Sequence, residues 1–217
     1  MGHKVNPIGL RLGITQNWRS KWFSKKEYNA NLKQDVEMRA DIFKKWKAAF
    51  ISEVEIERSQ AAVRIIIKTA RPGVLIGRGG SGVEDIKKYI QDVYFKQNRN
   101  ADLRIEIQEI RNFEESAMII AQNVAEQLEK RTPFRRVMKM MLEQAMKNST
   151  IKGVKIEMSG RLGGAEMSRR EWLSKGTLPL HTLRANIDFA RATAFTTYGA
   201  IGVKAWLYKG EVFDKKN

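Results

Sequence analysis

Val74-Leu75-Ile76-Gly77-Arg78-Gly79-Gly80-Ser81-Gly82-Val83 is the stretch on which the fold turns. Upstream of it, Val63, Ile65 and Ile67 alternate as they would on a half-buried strand. Downstream, Val83, Ile86, Ile90 and Val93 recur at helical spacing. Glycines between a strand and a helix let the backbone take positive φ and come close to other backbone. A loop of this kind at a helix start offers unpaired N–H groups and the positive end of the helix dipole. That is a place for phosphate oxygens.

Two loop patterns fit. Gly77-x-Gly79-x-x-Gly82 matches the dinucleotide fingerprint. Ile76 to Val83 also matches the KH loop, which clamps the backbone of four single-stranded nucleotides. A dinucleotide site needs its first glycine at the end of the strand. Here about seven residues, Pro72 among them, come between, and no further strand–helix–strand units follow. A Walker A loop is excluded, because no Lys-Ser or Lys-Thr follows the glycines.

The elements around the loop favour KH. Ser24-Lys25-Lys26-Glu27 has the form of a capping box and predicts a helix start, with Tyr28, Leu32, Val36, Phe43, Trp46 and Phe50 along one face. Glu53 to Glu57 alternates, turns near Ser59-Gln60 and alternates again through Ile67, as a β-hairpin does. The carboxylates of Glu53, Glu55 and Glu57 would form its wet face. A short turn at 74–76, a helix over 83–97 and a strand at 103–107 complete the order α-β-β-α-α-β of a type II KH domain.

A second unit begins near Phe113. A helix is expected over 114–129, and Thr132-Pro133 reads as an N-cap followed by proline at the first helical position. Strand-like runs follow at 151–159, 170–175, 183–195 and 201–209. The expected fold is α+β: a type II KH domain over 24–111, then two helices on a four-stranded sheet over 112–210. A basic arm over 1–23 precedes them and a short tail over 211–217 ends the chain. In the arm, Trp18 and Trp22 serve either as anchors on the next domain or as stacking surfaces.

The chain has 217 residues and a formal net charge of +16, which calls for a polyanionic partner. The charge is uneven. Residues 51–110 are almost neutral, whereas 1–50 and 130–175 are strongly basic. No cysteine is present, so thiol chemistry and thiolate metal sites are excluded. No apolar run reaches the roughly 18 residues of a membrane span, and the basic first residues do not resemble a signal peptide. The only histidines are His3 and His181, and no nucleophile–base pair or metal-ligand spacing stands out. The expectation is a non-enzyme with no cofactor, no metal and no small-molecule substrate.

Two further constellations are basic. In Lys130-Arg131-Thr132-Pro133-Phe134-Arg135-Arg136-Val137-Met138-Lys139, a helix starting at Pro133 puts Arg135 and Arg136 in its first turn. Cations there oppose the dipole, at about 0.3–1 kcal/mol each. Arg135 and Lys139, four apart, also repel. An anion against the helix would remove the conflict, and arginine offers phosphate a two-pronged fork. The connection Gly160-Arg161-Leu162-Gly163-Gly164-Ala165-Glu166-Met167-Ser168-Arg169-Arg170 is either a solvated hairpin tip or a contact with structured RNA.

Several longer motifs resemble one family. They are Gly2-His3-Lys4-Val5-Asn6-Pro7 with Arg11-Leu12-Gly13-Ile14, Thr69-Ala70-Arg71-Pro72-Gly73, Ser159 to Glu166, Pro179-Leu180-His181-Thr182-Leu183-Arg184-Ala185, and Thr197 to Lys204. Across the whole chain they resemble the bacterial and organellar family of the third protein of the small ribosomal subunit. The resemblance implies a place on the head of that subunit, in the cytoplasm or in an organelle. It implies contact with 16S-type rRNA, with mRNA and with small-subunit ribosomal proteins ten and fourteen. It also implies that Arg131, Arg135, Arg136 and Lys139 line the channel through which mRNA enters and help to open its structure. Gly77, Arg78, Gly79 and Gly80 would be the KH loop, and Lys4, Arg11, Arg161, Arg169 and Arg170 would hold rRNA. A free KH-type regulator of messages is the alternative reading.

Overall fold

The computed structural model describes residues 4–59, 62–95 and 102–213. His3, Gln60 of the expected turn, the last residues of the helix expected over 83–97, and 214–217 of the tail lie outside them. In chain order the elements are α1 (Pro7–Leu10), β1 (Ser20–Lys21), α2 (Tyr28–Lys45), β2 (Ile51–Arg58), β3 (Ala62–Thr69), α3 (Pro72–Ile76), α4 (Ser81–Tyr94), β4 (Asp102–Glu109), α5 (Ala117–Glu129), α6 (Phe134–Met146), β5 (Gly153–Gly160), β6 (Arg169–Gly176), β7 (Ala185–Thr196) and β8 (Gly199–Glu211). Two compact units result. One is Trp18–Arg111, and the other joins the described residues of 1–17 to those of 112–217. The stretch expected as an arm over 1–23 therefore divides between the units.

The first unit has the order α-β-β-α-α-β, with β1 added at its edge. Its sheet runs β1-β2-β3-β4. β2 and β3 form the antiparallel hairpin, with Val54 opposite Ile67 and Ile56 opposite Ile65, and β4 lies parallel to β3. The alternating Val54, Ile56, Ile65 and Ile67 point to a core that also takes Met38 and Ile42 of α2, Leu75 of α3, and Ile86 and Ile90 of α4. The opposite face is ionic: Lys21 and Lys68 bind Glu55, and Arg64 binds Glu57 and Glu106. Burial works against the Glu55 carboxylate, yet the two ammonium groups hold it below the usual range.

α2 departs from its sequence pattern in two ways. The hydroxyl of Ser24 accepts the N–H of Glu27 at 3.2 Å, but Glu27 makes no return bond, and the helix starts only at Tyr28. Tyr28, Leu32 and Val36 are also exposed. The buried stripe is Asp35, Met38 and Ile42 instead. Asp35 accepts from Ser20 at 3.0 Å, from the Trp22 indole at 2.7 Å and from Arg58 Nε at 2.8 Å. That network rotates the helix and anchors Trp22, while Trp18 stays exposed.

In the second unit the sheet order is β6-β5-β8-β7, antiparallel throughout. α5 and α6 cover one face, where Val124, Leu128, Val137 and Leu142 meet Val154, Ile156, Met158, Val203 and Leu207. Asp188 of β7 accepts the Ala117 N–H at 2.8 Å, placing a carboxylate at the positive end of α5. On the other face, Ile187, Phe189, Trp206 and Tyr208 are covered by Ile8, Leu178 and Leu180. Ile8 of α1 and the loop before β7 thus roof the side of the sheet made by β7 and β8.

Candidate nucleic-acid interface

The glycine loop joins α3 to α4. Pro72 opens α3, and Gly77 ends it at φ 69°. Arg78–Gly80 make one 3-10 turn, with Gly79 at φ 63° and Gly80 at φ 87°, and Gly80 caps α4. These left-handed angles suit glycine alone at low cost. A Cβ on Gly79 or Gly80 would meet nothing within 4 Å, so the top of the loop is open. Arg78 is exposed on it. Val74 and Ile76 are exposed beside it, a pair of apolar side chains next to the open amides.

α6 begins at Phe134, one residue later than its sequence pattern suggests. Pro133 takes the cap position without a side-chain bond, and the Thr132 hydroxyl turns to Gln127 at 3.3 Å. Arg135 and Arg136 still fall in the first turn, which holds no acid. With Lys139, Met140 and Glu143 they line an open groove of about 560 Å³ against Glu171 and Leu173 of β6. Glu171 pairs with Arg135 at 3.3 Å and with Arg169 at 2.9 Å. The bond from Arg135 holds its carboxyl below the usual range. Both guanidinium groups also lie over the Phe134 ring, at 5.6 and 5.5 Å. One carboxylate is thus shared by two arginines. Arg136 and Lys139 have no acid on them among the described residues. Arg169, expected on rRNA, belongs to this cluster, a meeting of α6 with β6 that spacing cannot disclose.

Arg131 is exposed but is not part of the groove lining. It sits just past α5 at φ 61°, where its N–H bonds to the Leu128 carbonyl at 2.9 Å. Helices commonly place glycine at this position.

The residues expected on rRNA separate into different roles. Arg11 is fully buried and is unavailable to RNA. Its guanidinium donates to the carbonyls of Pro7 at 3.1 Å, Leu180 at 2.9 Å and Thr182 at 2.9 Å, so it ties the start of the chain to the loop before β7. Its charge serves those carbonyls. Arg161 is half-buried and bonds the Ala165 carbonyl at 2.9 Å, closing its own loop. Lys4 and Arg170 stay exposed, and both raise the positive potential at Lys155 of β5, a cation that motif reading passed over.

Two family models match. One described as "Ribosomal protein S3, C-terminal domain" covers residues 124–207, and one described as "KH domain" covers 37–115. Similarity to whole proteins runs the length of the chain. The small ribosomal subunit protein uS3 of Legionella pneumophila (strain Corby) is 48% identical over 216 residues, which is 100% of this chain and 96% of that protein. The protein of the same name from Exiguobacterium sp. (strain ATCC BAA-1283 / AT1b) is 48% identical over 217 residues, 100% and 97% of the two chains. That of Koribacter versatilis (strain Ellin345) is 47% identical over 212 residues, 98% and 92%.

Proposed function

The chain belongs to the small ribosomal subunit protein uS3 family, and from that premise we propose that it is a structural constituent of the small-subunit head whose α6 groove borders the path by which mRNA enters. Arg135, Arg136 and Lys139 hold mRNA phosphates there, with Arg131 nearby on the approach to α6. The KH loop, Gly77 to Gly80, takes a single-stranded backbone through its open amides. Lys4, Arg169 and Arg170 contact RNA of the 16S type, and ribosomal proteins ten and fourteen are neighbours. The chain performs no covalent chemistry. It restrains an incoming strand while the ribosome's own translocation supplies the motion that parts paired bases.

One observation carries this reading. The first turn of α6 bears two arginines and no acid, and they line an open groove. Glu171 balances Arg135 in part, but Arg136 and Lys139 have no acid on them among the described residues, and a phosphate backbone lying against the helix start would relieve their conflict with the dipole. The test is the double substitution Arg135→Ala with Arg136→Ala, read as translation rate through a stable mRNA hairpin in reconstituted ribosomes. Subunit assembly should be retained and passage through the hairpin slowed. Unchanged speed on such messages overturns the assignment.

A further inference from the structure

Strand β6 is the edge of its sheet, and its two sides differ in chemistry. Glu171 and Leu173 face the α6 groove. Successive side chains on a strand point to opposite faces, so Trp172 stands on the far side. There Lys155 of β5 sets its ammonium 4.8 Å from the Trp172 ring centroid and 5.3 Å from that of Trp206. The two tryptophans are treated differently. Trp206 is 7% exposed beneath the roof of Ile8, Leu178 and Leu180, whereas Trp172 is 56% exposed. The roof stops short of it.

Charge accumulates at the same place. Burial and then repulsion from Lys4 and Arg170 push the Lys155 ammonium below the usual lysine range, with only Glu157 acting the other way. Glu157 in turn pairs with Lys204 at 3.6 Å. Lys155 stands against the open indole, Lys4 and Arg170 act on that ammonium, and one shared carboxylate opposes them. Folding alone disfavours this.

We propose that Trp172, with Lys155 against its ring and Arg170 two residues away on the same face of β6, is a stacking site for an unpaired nucleotide of ribosomal RNA. The inference rests on the reading of this chain as an rRNA-bound protein and adds a site to it. An indole face accepts any base, and flanking cations take the phosphates on either side, which is how sequence-tolerant single-strand sites are built. Ribosomal RNA is favoured over mRNA because the site faces away from the α6 groove.

The test has two arms. In the first, the full chain is titrated with short oligoadenylate and with inorganic polyphosphate, a polyanion without bases. Trp172→Ala should weaken oligoadenylate binding roughly ten-fold and leave the salt dependence unchanged. Trp172→Phe should restore most of the affinity, and polyphosphate binding should respond to neither. Lys155→Gln should lower the log–log salt slope by about one unit with both probes. Equal affinity of Trp172→Ala and the parent overturns the proposal, as does an equal loss with polyphosphate. In the second arm, a photo-cross-linking residue replaces Trp172 in reconstituted small subunits. A cross-link to rRNA supports the proposal, and one to mRNA, to a ribosomal protein or to nothing overturns it. If the parent chain itself fails to bind rRNA, the underlying reading falls as well; if only the position-172 results fail, this site alone is lost.

Discussion

Arg135 and Glu171 grip each other across α6 and β6, Nε to Oε2 at 3.3 Å and Nη2 to Oε1 at 3.4 Å, while Arg169 Nε meets Oε1 of the same carboxylate at 2.9 Å. Glu171 is thus an internal counterion for the groove, and an arriving phosphate must compete with it. Glu171→Gln removes the competitor and keeps the shape. RNA affinity at low salt should rise by up to about five-fold, the range of exposed ion pairs. The salt slope should steepen by about one unit. The effect has a pH signature. The carboxyl titrates below its unfolded value of about 4.3, so its pairing is intact above that value and is lost as pH falls through the depressed one. Parent and variant should therefore differ at neutral pH and converge under acid. Nitrocellulose filter binding across salt and pH measures both, and equal affinities at pH 7 would sink the counterion role.

Arg11 is the opposite case, a cation spent on the fold. It bonds four carbonyls, those of Pro7, Pro179, Leu180 and Thr182, and keeps no surface, while its Nε has no partner among the described residues. Arg11→Met leaves those carbonyls without their donor and should lower stability by about 3 kcal/mol. The salt slope of RNA binding should not change, because no phosphate contact is lost. Urea denaturation followed on the far-UV CD signal, paired with a salt titration, separates the two effects. A reduced slope with full stability would return Arg11 to the RNA-binding set.

The sequence disclosed most of the architecture and part of the site. The KH order α-β-β-α-α-β, the two helices and four strands that follow it, and the first-turn arginines come from local signals: alternation, helical spacing, glycine and proline; α1, β1 and the division of residues 1–23 between the two units do not. What escaped has long-range causes. Tyr28, Leu32 and Val36 make as regular a stripe as Asp35, Met38 and Ile42, and the choice between them comes from Asp35 bonding Trp22 and Arg58. Arg11 reads as one more basic residue until the carbonyls of Leu180 and Thr182 arrive from the far end of the chain. Lys155 meets Trp172 only through the pairing of β5 with β6, and Arg169 meets Phe134 and the shared carboxylate of Arg135 only because α6 packs on β6.

Arg131 tests whether a residue is kept against the preference of its own backbone. Its φ of 61° is left-handed, which costs an L-residue about 1–2 kcal/mol. Arg131→Gly removes that strain but loosens the unfolded chain by roughly 0.4–1 kcal/mol. Stability should therefore hold or rise by up to about 1.6 kcal/mol, while the RNA salt slope falls by about one unit. Thermal melting and salt titration of the same preparation decide the matter. A drop in stability with an unchanged slope would mean the side chain is structural.

Gly82 and Gly79 separate close packing from backbone handedness in the KH loop. A Cβ on Gly82 would fall inside the van der Waals shell of the Leu75 carbonyl oxygen and 3.0 Å from that of Ile76. Both obstacles are backbone, so α3 and α4 would have to part. Gly82→Ala should cost about 1–3 kcal/mol, as overpacking does, and displace the loop. Gly79→Ala meets open space and pays only for its φ of 63°, about 1–2 kcal/mol. The loop amides should still present themselves in the Gly79 variant, so single-stranded RNA binding should survive there and fail in Gly82→Ala. Differential scanning calorimetry with oligonucleotide titration reads both properties. Full RNA affinity in Gly82→Ala would show that the α3–α4 contact does not shape the binding surface.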